Sequence, residues 1–179
     1  MAYPPIVEEW LAGYGQSKYA AEGFCGLYQR LYRMATVSLR YGNVFGPRQD
    51  PMGEAGVIAI FCGQLRDGGA PTIFGDGSQT RDYVFVSDVV AANLAAAARP
   101  DVTGPINIGR GAEVSVLELV ESLKALGGAS ALAFEPVHEP ERLGEVQRSV
   151  LDVSRARAEL GWEAQVDLAE GLRRTLESL

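Results

Sequence analysis

Metal ligands are scarce in this sequence. It holds two cysteines, Cys25 and Cys62, and one histidine, His138. The cysteines form no CxxC pair, which argues against a structural zinc site or a disulfide framework. Two unpaired thiols fit a reducing compartment, so the expected location is the cytoplasm. No apolar run approaches the roughly 20 residues needed to cross a bilayer, and no membrane partner is expected. Cations are also short, with 16 Lys and Arg against 23 Asp and Glu and a net charge of −7. Nonspecific nucleic-acid binding needs clustered cations to displace counterions, so nucleic acid is excluded as that kind of partner. One diphosphate needs only an arginine or two, and that possibility stays open. Residues 1–10 carry two prolines, two glutamates and no basic stretch, unlike a secretory signal. There is no internal repeat and no low-complexity tract.

What is present reads as one ordinary domain. The 179 residues are 47% apolar and 22% charged, normal for a globular protein with its own core. Residues 1–13 are broken by proline and read as a loop. Ala20, Phe24, Leu27, Tyr28 and Leu31 recur at helical spacing across residues 15–33. A β-rich run covers residues 35–41, closed by Gly42 and by Gly46-Pro47. A helix is expected over residues 57–65, and a short strand at Thr72-Ile73-Phe74. Residues 82–86 alternate as a strand, and Ser87 is placed to cap the Ala-rich helix that runs to about Ala98. A strand is expected at residues 105–109. Ser115-x-x-Glu118 is a capping box that opens a helix ending at Gly127-Gly128. Residues 132–137 read as a strand. Two short helices close the chain, one from Ser154 to Gly161 and one opening at Asp167. Strands alternating with helices give the α/β class.

Four constellations carry chemistry. Tyr14 and Lys18, four apart on a helix, share one face. An ammonium beside a phenol favours the phenolate, which suits the pair to moving a proton at a sugar hydroxyl. The plain alternative is an exposed Tyr beside a solvated Lys. Asn43 ends a strand, where ligands bind in open α/β sheets; alternatively it serves a turn by adopting left-handed geometry. Phe74, the turn Gly75-Asp76-Gly77 and Arg81 offer a stacking face and a diphosphate fork. The alternative there is a hairpin with a surface pair between Arg81 and Asp82. Residues 141–145 supply Arg142 for phosphate and Glu145 for ribose hydroxyls, or else form a solvated charge run.

In this order and spacing the four resemble the extended short-chain dehydrogenase/reductase family, which contains NAD-dependent epimerases and dehydratases. The UDP-glucose 4-epimerase branch is nearest. Residues 40–89, with GPRQDP, GEAG, FGDG and QTRDYVFVSDV, carry most of the likeness, and NIG at 107–109 and LGW at 160–162 extend it to residues 14–179. The resemblance implies the C-terminal part of a Rossmann-like fold plus a small α/β substrate-binding subdomain. Residues 1–48 would be a remnant of the NAD-binding domain and 49–179 mainly the substrate subdomain, with 82–98 returning to the first. It implies Tyr14 as acid/base, with Lys18 holding the nicotinamide ribose and Tyr41 also on the cofactor, NAD. Asn43, Arg81 and Arg142 would hold the diphosphate of a UDP-sugar, Val57 and Phe74 the uracil, and Glu145 the ribose. Ser149, four residues beyond Glu145, would border the sugar; being small, it would leave room for a 2-acetamido group. The implied reaction is epimerisation at C4 of a UDP-hexose.

The chain departs from that pattern in several ways. The glycine-rich dinucleotide fingerprint and its acidic partner are absent, and so is the Ser or Thr that assists the tyrosine upstream. The segment between Pro5 and Tyr14 is shorter than usual, and Glu145 stands where Asp is common. The expectation is therefore half of an epimerase, inactive alone. Its partners would be the missing N-terminal Rossmann half and, when complete, a second copy packed through the helix of Tyr14. Rival readings are a nucleotide-sugar 4,6-dehydratase and a non-catalytic nucleotide-sugar binding module.

Overall fold

A computed structural model describes residues 13–50, 56–142 and 144–179 of the chain. The loop expected before residue 13 and the Gly53-Glu54-Ala55 turn lie outside the described residues. The element order begins with α1 (Gly13–Tyr32), β1 (Val37–Tyr41), β2 (Asn43–Phe45), α2 (Val57–Asp67) and β3 (Thr72–Phe74). It continues with β4 (Thr80–Arg81), β5 (Tyr83–Phe85), α3 (Val86–Ala97), β6 (Gly104–Ile108), β7 (Val114–Ser115) and α4 (Val116–Leu126). A 3-10 segment, Gly128–Ala133, then precedes β8 (Val137–Glu139), a π-helical turn (Ala156–Leu160) and α5 (Leu168–Glu177). The α/β expectation holds.

Three of the strand pairings are parallel: β1 with β6, β2 with β5 and β3 with β8. The fourth, β4 with β7, is antiparallel. The run expected over residues 35–41 continues past Gly42 into β2, and the chain changes partner there. The Gly42 amide donates to the Ile108 carbonyl, and the next amide, of Asn43, donates to the Asp82 carbonyl. A Cβ at Gly42 would lie 2.6 Å from that Asp82 oxygen, so only glycine passes.

Several expected elements shift. The helix α3 starts one residue before Ser87, with Phe85 at its N-cap and no side-chain cap, because β5 runs straight into it. The strand expected over 132–137 is instead the 3-10 segment followed by β8. Gly128–Ala133 holds only Gly, Ala, Ser and Leu, without the β-branched residues that favour strands, and β8 is confined between Pro136 and Pro140. Phe74 and Thr80 do not form a hairpin, since β3 pairs with β8 and β4 with β7. The Ser115–Glu118 capping box and the Asp167 cap of α5 form as read.

Two apolar clusters fill the interior. One joins α2, α4 and α5 with β2, β3 and β5, through Phe45, Phe61, Leu119, Leu123, Phe134 and Leu172. The other joins α3 and β6 with the π-helical turn, through Val89, Ile106, Ile108, Ala156 and Trp162. The strand β5 divides them: Tyr83 and Phe85 face the first and Val84 the second, the alternation that an extended strand imposes. By contrast the helical stripe of α1 is not covered by the chain's own core. Phe24, Tyr28, Leu31 and Tyr32 are exposed, as are Val90 and Leu94 on α3.

Two buried carboxylates tie loops to this frame. Asp82, 1% exposed, accepts from the amides of Arg110 at 2.8 Å, Gly111 at 3.0 Å and Leu151 at 3.3 Å. A Cβ at Gly109 would sit 2.5 Å from its Oδ2. Asp88 accepts from the amides of Gln165 and Val166, and its carbonyl takes the Trp162 indole N–H at 3.0 Å. Asp82→Ala removes the acceptor of three part-buried amides, at about 1 kcal/mol for each hydrogen bond lost. Urea denaturation should show a loss of about 3 kcal/mol or more, with Asp82→Asn losing less because one carbonyl oxygen can still accept.

Candidate functional site

A cleft of about 800 Å³ runs along the whole of β1 and β2, from Val37 to Phe45. Lys18, Glu22 and Cys25 of α1 form one wall, and Tyr41, Gly42, Asn43 and Val44 the floor. Gln49, Val57 and Tyr83 close the far side. The expected residues Lys18, Tyr41 and Asn43 therefore meet here, and Val57 joins them, apart from Phe74 of the second cleft with which it was expected to hold a uracil. Tyr14 lies in the first turn of α1, one turn before Lys18, and its side chain lies outside what is described. α1 is held over the cleft by few contacts. Arg40 makes a fork to Glu22 at 2.6 and 2.8 Å, and the Thr36 hydroxyl donates to the Cys25 carbonyl. The hydrogen bond to the Glu22 carboxylate raises the Arg40 pKa further. Tyr41 is half exposed and gives its hydroxyl to Asn93 of α3 at 3.0 Å.

Asn43 sits in extended β2 and not in a left-handed turn; among the described residues only Arg33 and Arg48 combine a side chain with positive φ. Its turn alternative is thereby removed. Its register partner on β5 is Tyr83, 2% exposed, whose phenol burial pushes up to about 12. The sequence reading assigned nothing to Tyr83. The signal was available, since Tyr83 stands two positions from Arg81 and so on the same side of an extended run.

A second cleft, of about 410 Å³, is lined by Phe74, Asp76, Ser78, Gln79, Glu141, Glu145 and Gln147. Its turn is built locally: Asp76 accepts from the Ser78 amide and hydroxyl at 2.8 and 2.6 Å, which lowers its pKa. Gln79 donates to the Phe74 carbonyl at 2.9 Å. The Arg142 guanidinium lies 3.6 Å from the Phe74 ring centre, a cation–π contact. The segment 141–145 is thus more than a solvated charge run.

Arg81, on β4, stands two residues before Tyr83 of the first cleft and is bonded to Glu145 of the second. It donates to the carbonyls of Thr80 and Val146 at 2.8 and 2.5 Å and reaches Glu145 at 3.5 Å. The expected alternative, a surface pair with Asp82, is wrong, because adjacent strand residues point opposite ways and Asp82 is buried. Beyond Glu145 the chain runs beside β4: the Thr80 amide donates to Gln147, and the Ser149 amide to Thr80. Ser149 is half-buried there, whereas the neighbouring Arg148 turns outward to Glu113. The described residues contain no cluster of metal-ligating side chains.

One cleft runs along the open side of β1 and β2, and a second, with an aromatic wall at Phe74, lies beside the Gly75–Gly77 turn; concave sites with a few polar groups of this kind are where small ligands bind. The chain belongs to the NAD dependent epimerase/dehydratase family, whose model matches residues 4–109. It is 47% identical over 164 residues to a UDP-glucose 4-epimerase of Mycolicibacterium smegmatis, covering 92% of this chain and 51% of that one. Among solved structures it resembles the Thermotoga maritima UDP-glucose 4-epimerase with UDP-glucose, at TM-score 0.87 and 46% identity, covering 92% of this chain and 52% of that one. It also resembles the Thermus thermophilus UDP-glucose 4-epimerase complex with NAD, at TM-score 0.81 and 37% identity, over 92% and 53% of the two chains. The chain thus spans about half the length of the relatives it matches.

Because Arg81 anchors the strip beside β4, Arg81→Ala should speed hydrogen exchange of the Ser149 amide by tenfold or more, taking a net hydrogen bond as about 1 kcal/mol and two as lost. The β1–β6 amides should keep their protection. Equal exchange in both proteins would show that the strip is held without Arg81.

Proposed function

We propose that this chain is the carboxyl-terminal part of an NAD-dependent epimerase acting at C4 of a UDP-hexose. The observation that carries this reading is that the expected residues fall on two clefts served by one strand run. Lys18 and Asn43 line one, Phe74 and Glu145 the other, and Arg81 touches Glu145 from the strand run that continues into Tyr83 of the first. A UDP-sugar matches that layout: uracil against Phe74, ribose at Glu145, diphosphate at Arg81, Arg142 and Asn43, hexose in the cleft of Lys18.

The residues present fit one end of NAD. Lys18 on the cleft wall and Tyr41 at its edge would hold the nicotinamide ribose. No glycine-rich phosphate loop exists among the 179 residues, so the pyrophosphate would be gripped by the half of the protein this chain does not span. When bound, NAD supplies reversible oxidation at C4. The chain's own part is proton management and orientation. Tyr14, one helical turn from the Lys18 ammonium, takes the proton of the C4 hydroxyl and returns it. The arginines hold the diphosphate while the 4-keto sugar turns its other face.

The other half and a second copy are the partners we assign to the uncovered surfaces. Among the described residues β1 is paired on one edge only, by β6, and α1 and α3 expose Phe24, Tyr28, Leu31, Val90 and Leu94. No described helix is long and apolar enough to cross a membrane. With the cysteines unpaired, we place the protein in the cytoplasm.

Calorimetry with UDP tests the binding half of the proposal. Arg81→Ala should weaken UDP by roughly ten- to a hundredfold, the range for a hydrogen bond to a charged group; unchanged affinity refutes the assignment. In a full-length protein carrying this chain, Tyr14→Phe should cut turnover about 10²–10⁴-fold while leaving UDP affinity in place. Turnover within twofold of the parent would favour a binding module over an enzyme. We also assign Ser149 to the sugar pocket, so UDP-N-acetylglucosamine should be accepted. Ser149→Tyr should lower kcat/KM for the N-acetylated sugar relative to UDP-glucose by tenfold or more, overpacking being about 1–3 kcal/mol. A constant ratio removes Ser149 from the gate.

A further inference from the structure

The first cleft contains a polar atom that the assignments above leave unused. The Tyr83 hydroxyl is fully buried and has no hydrogen-bond partner among the described residues, although Tyr83 lines the cleft. A buried hydroxyl without a partner is costly and uncommon in a folded protein. Its ring is fixed: it packs edge-on to Phe45 at 6.4 Å, its backbone is registered against Asn43, and it is 2% exposed. The hydroxyl therefore has little freedom to find another partner by moving. Its charged neighbours are Arg81 and Glu145, the two residues that link the clefts. Gln49, on the same cleft, likewise has a buried amide oxygen without a partner among the described residues.

We infer that Tyr83 is a substrate-binding residue whose hydroxyl donates a hydrogen bond to the diphosphate where it passes between the clefts. The inference rests on the nucleotide-sugar reading of the site and adds a neutral donor beside Arg81. Burial keeps the phenol protonated throughout the neutral range, so it offers an O–H to an anion and does not act as a base. It is the register partner of Asn43 and stands two residues from Arg81, on the same side of the extended run. The donor contributes only when an anion arrives, which makes it a discriminator for the diphosphate.

Titrate UDP and uridine into the chain and into Tyr83→Phe by calorimetry, and record the melting of both proteins. The variant should bind UDP about tenfold more weakly, as for loss of one charge-assisted hydrogen bond. Uridine affinity should be unchanged, and melting should be no lower, because the hydroxyl has no partner in the protein to lose. Unchanged UDP affinity overturns the inference. So does a parallel loss for uridine, or a lowered melting temperature, either of which would make the hydroxyl structural. A parent chain that takes up neither ligand refutes the nucleotide reading itself and this assignment with it, whereas a parent that binds UDP beside an unaffected variant leaves that reading standing.

Discussion

The carboxylate of Asp82, accepting amides from two separate loops, is the contact on which the arrangement depends. Its oxygens gather the turn after β6 and the strand-like segment before the π-helical turn. Its backbone carbonyl receives the Asn43 amide at 2.6 Å, which aligns β2 on β5. A charge in an interior is tolerable only when donors replace its water, and three amides do so here. The requirement spreads to the neighbours, since Gly42 and Gly109 must lack side chains for Asp82 to fit. The residues on either side of Asp82, Arg81 and Tyr83, are turned toward the clefts because Asp82 is turned away from them.

The site is assembled from segments far apart in the chain, and its arginines are already engaged. Arg81 holds two carbonyls and a glutamate, and Arg142 covers the Phe74 ring. Any anion entering the second cleft would have to exchange these contacts for its own and would not meet bare charges. The walls of the first cleft are less evenly supported. β1 and β2 are locked into the frame by their pairings, whereas α1 leans on β1 through Glu22–Arg40 and Thr36 while its aromatic stripe faces outward. Precise placement of Lys18 therefore depends on what covers the outer side of α1.

Local chemistry was legible in the sequence. The Ser115 capping box, the Asp167 cap and the glycine stop at Gly161 each follow from a few adjacent residues, and each forms. Motif order likewise identified the family; of the residues it singled out, Lys18, Tyr41, Asn43 and Val57 line the first cleft and Phe74 and Glu145 the second, whereas Arg81, Arg142 and Ser149 line neither. Nonlocal facts were less accessible. The pairing of β3 with β8 rather than β4 depends on a contact across more than sixty residues, Thr72 with Val137, and no nearby residue signals it. Asp82 looked like a surface partner of Arg81 because adjacency in sequence was taken for adjacency in space. The unmet hydroxyl of Tyr83 could not be read at all, since an absent partner is visible only once every neighbour is in place. The helix 86–97 begins two residues early for a related reason: continuity with β5 outweighs the capping preference of Ser87.

The three residues of β5 also set a rule of parity. Tyr83 and Phe85 belong to one cluster and Val84 to the other, so odd and even positions are committed to opposite sides of a wall. Substitution at one position changes one contact. Inserting or deleting a single residue between Arg81 and Val86 exchanges every assignment: valine meets the aromatic cluster, aromatics meet the close-packed helix α3, and the cleft loses its phenol. This short stretch is therefore fixed in length as well as at Asp82.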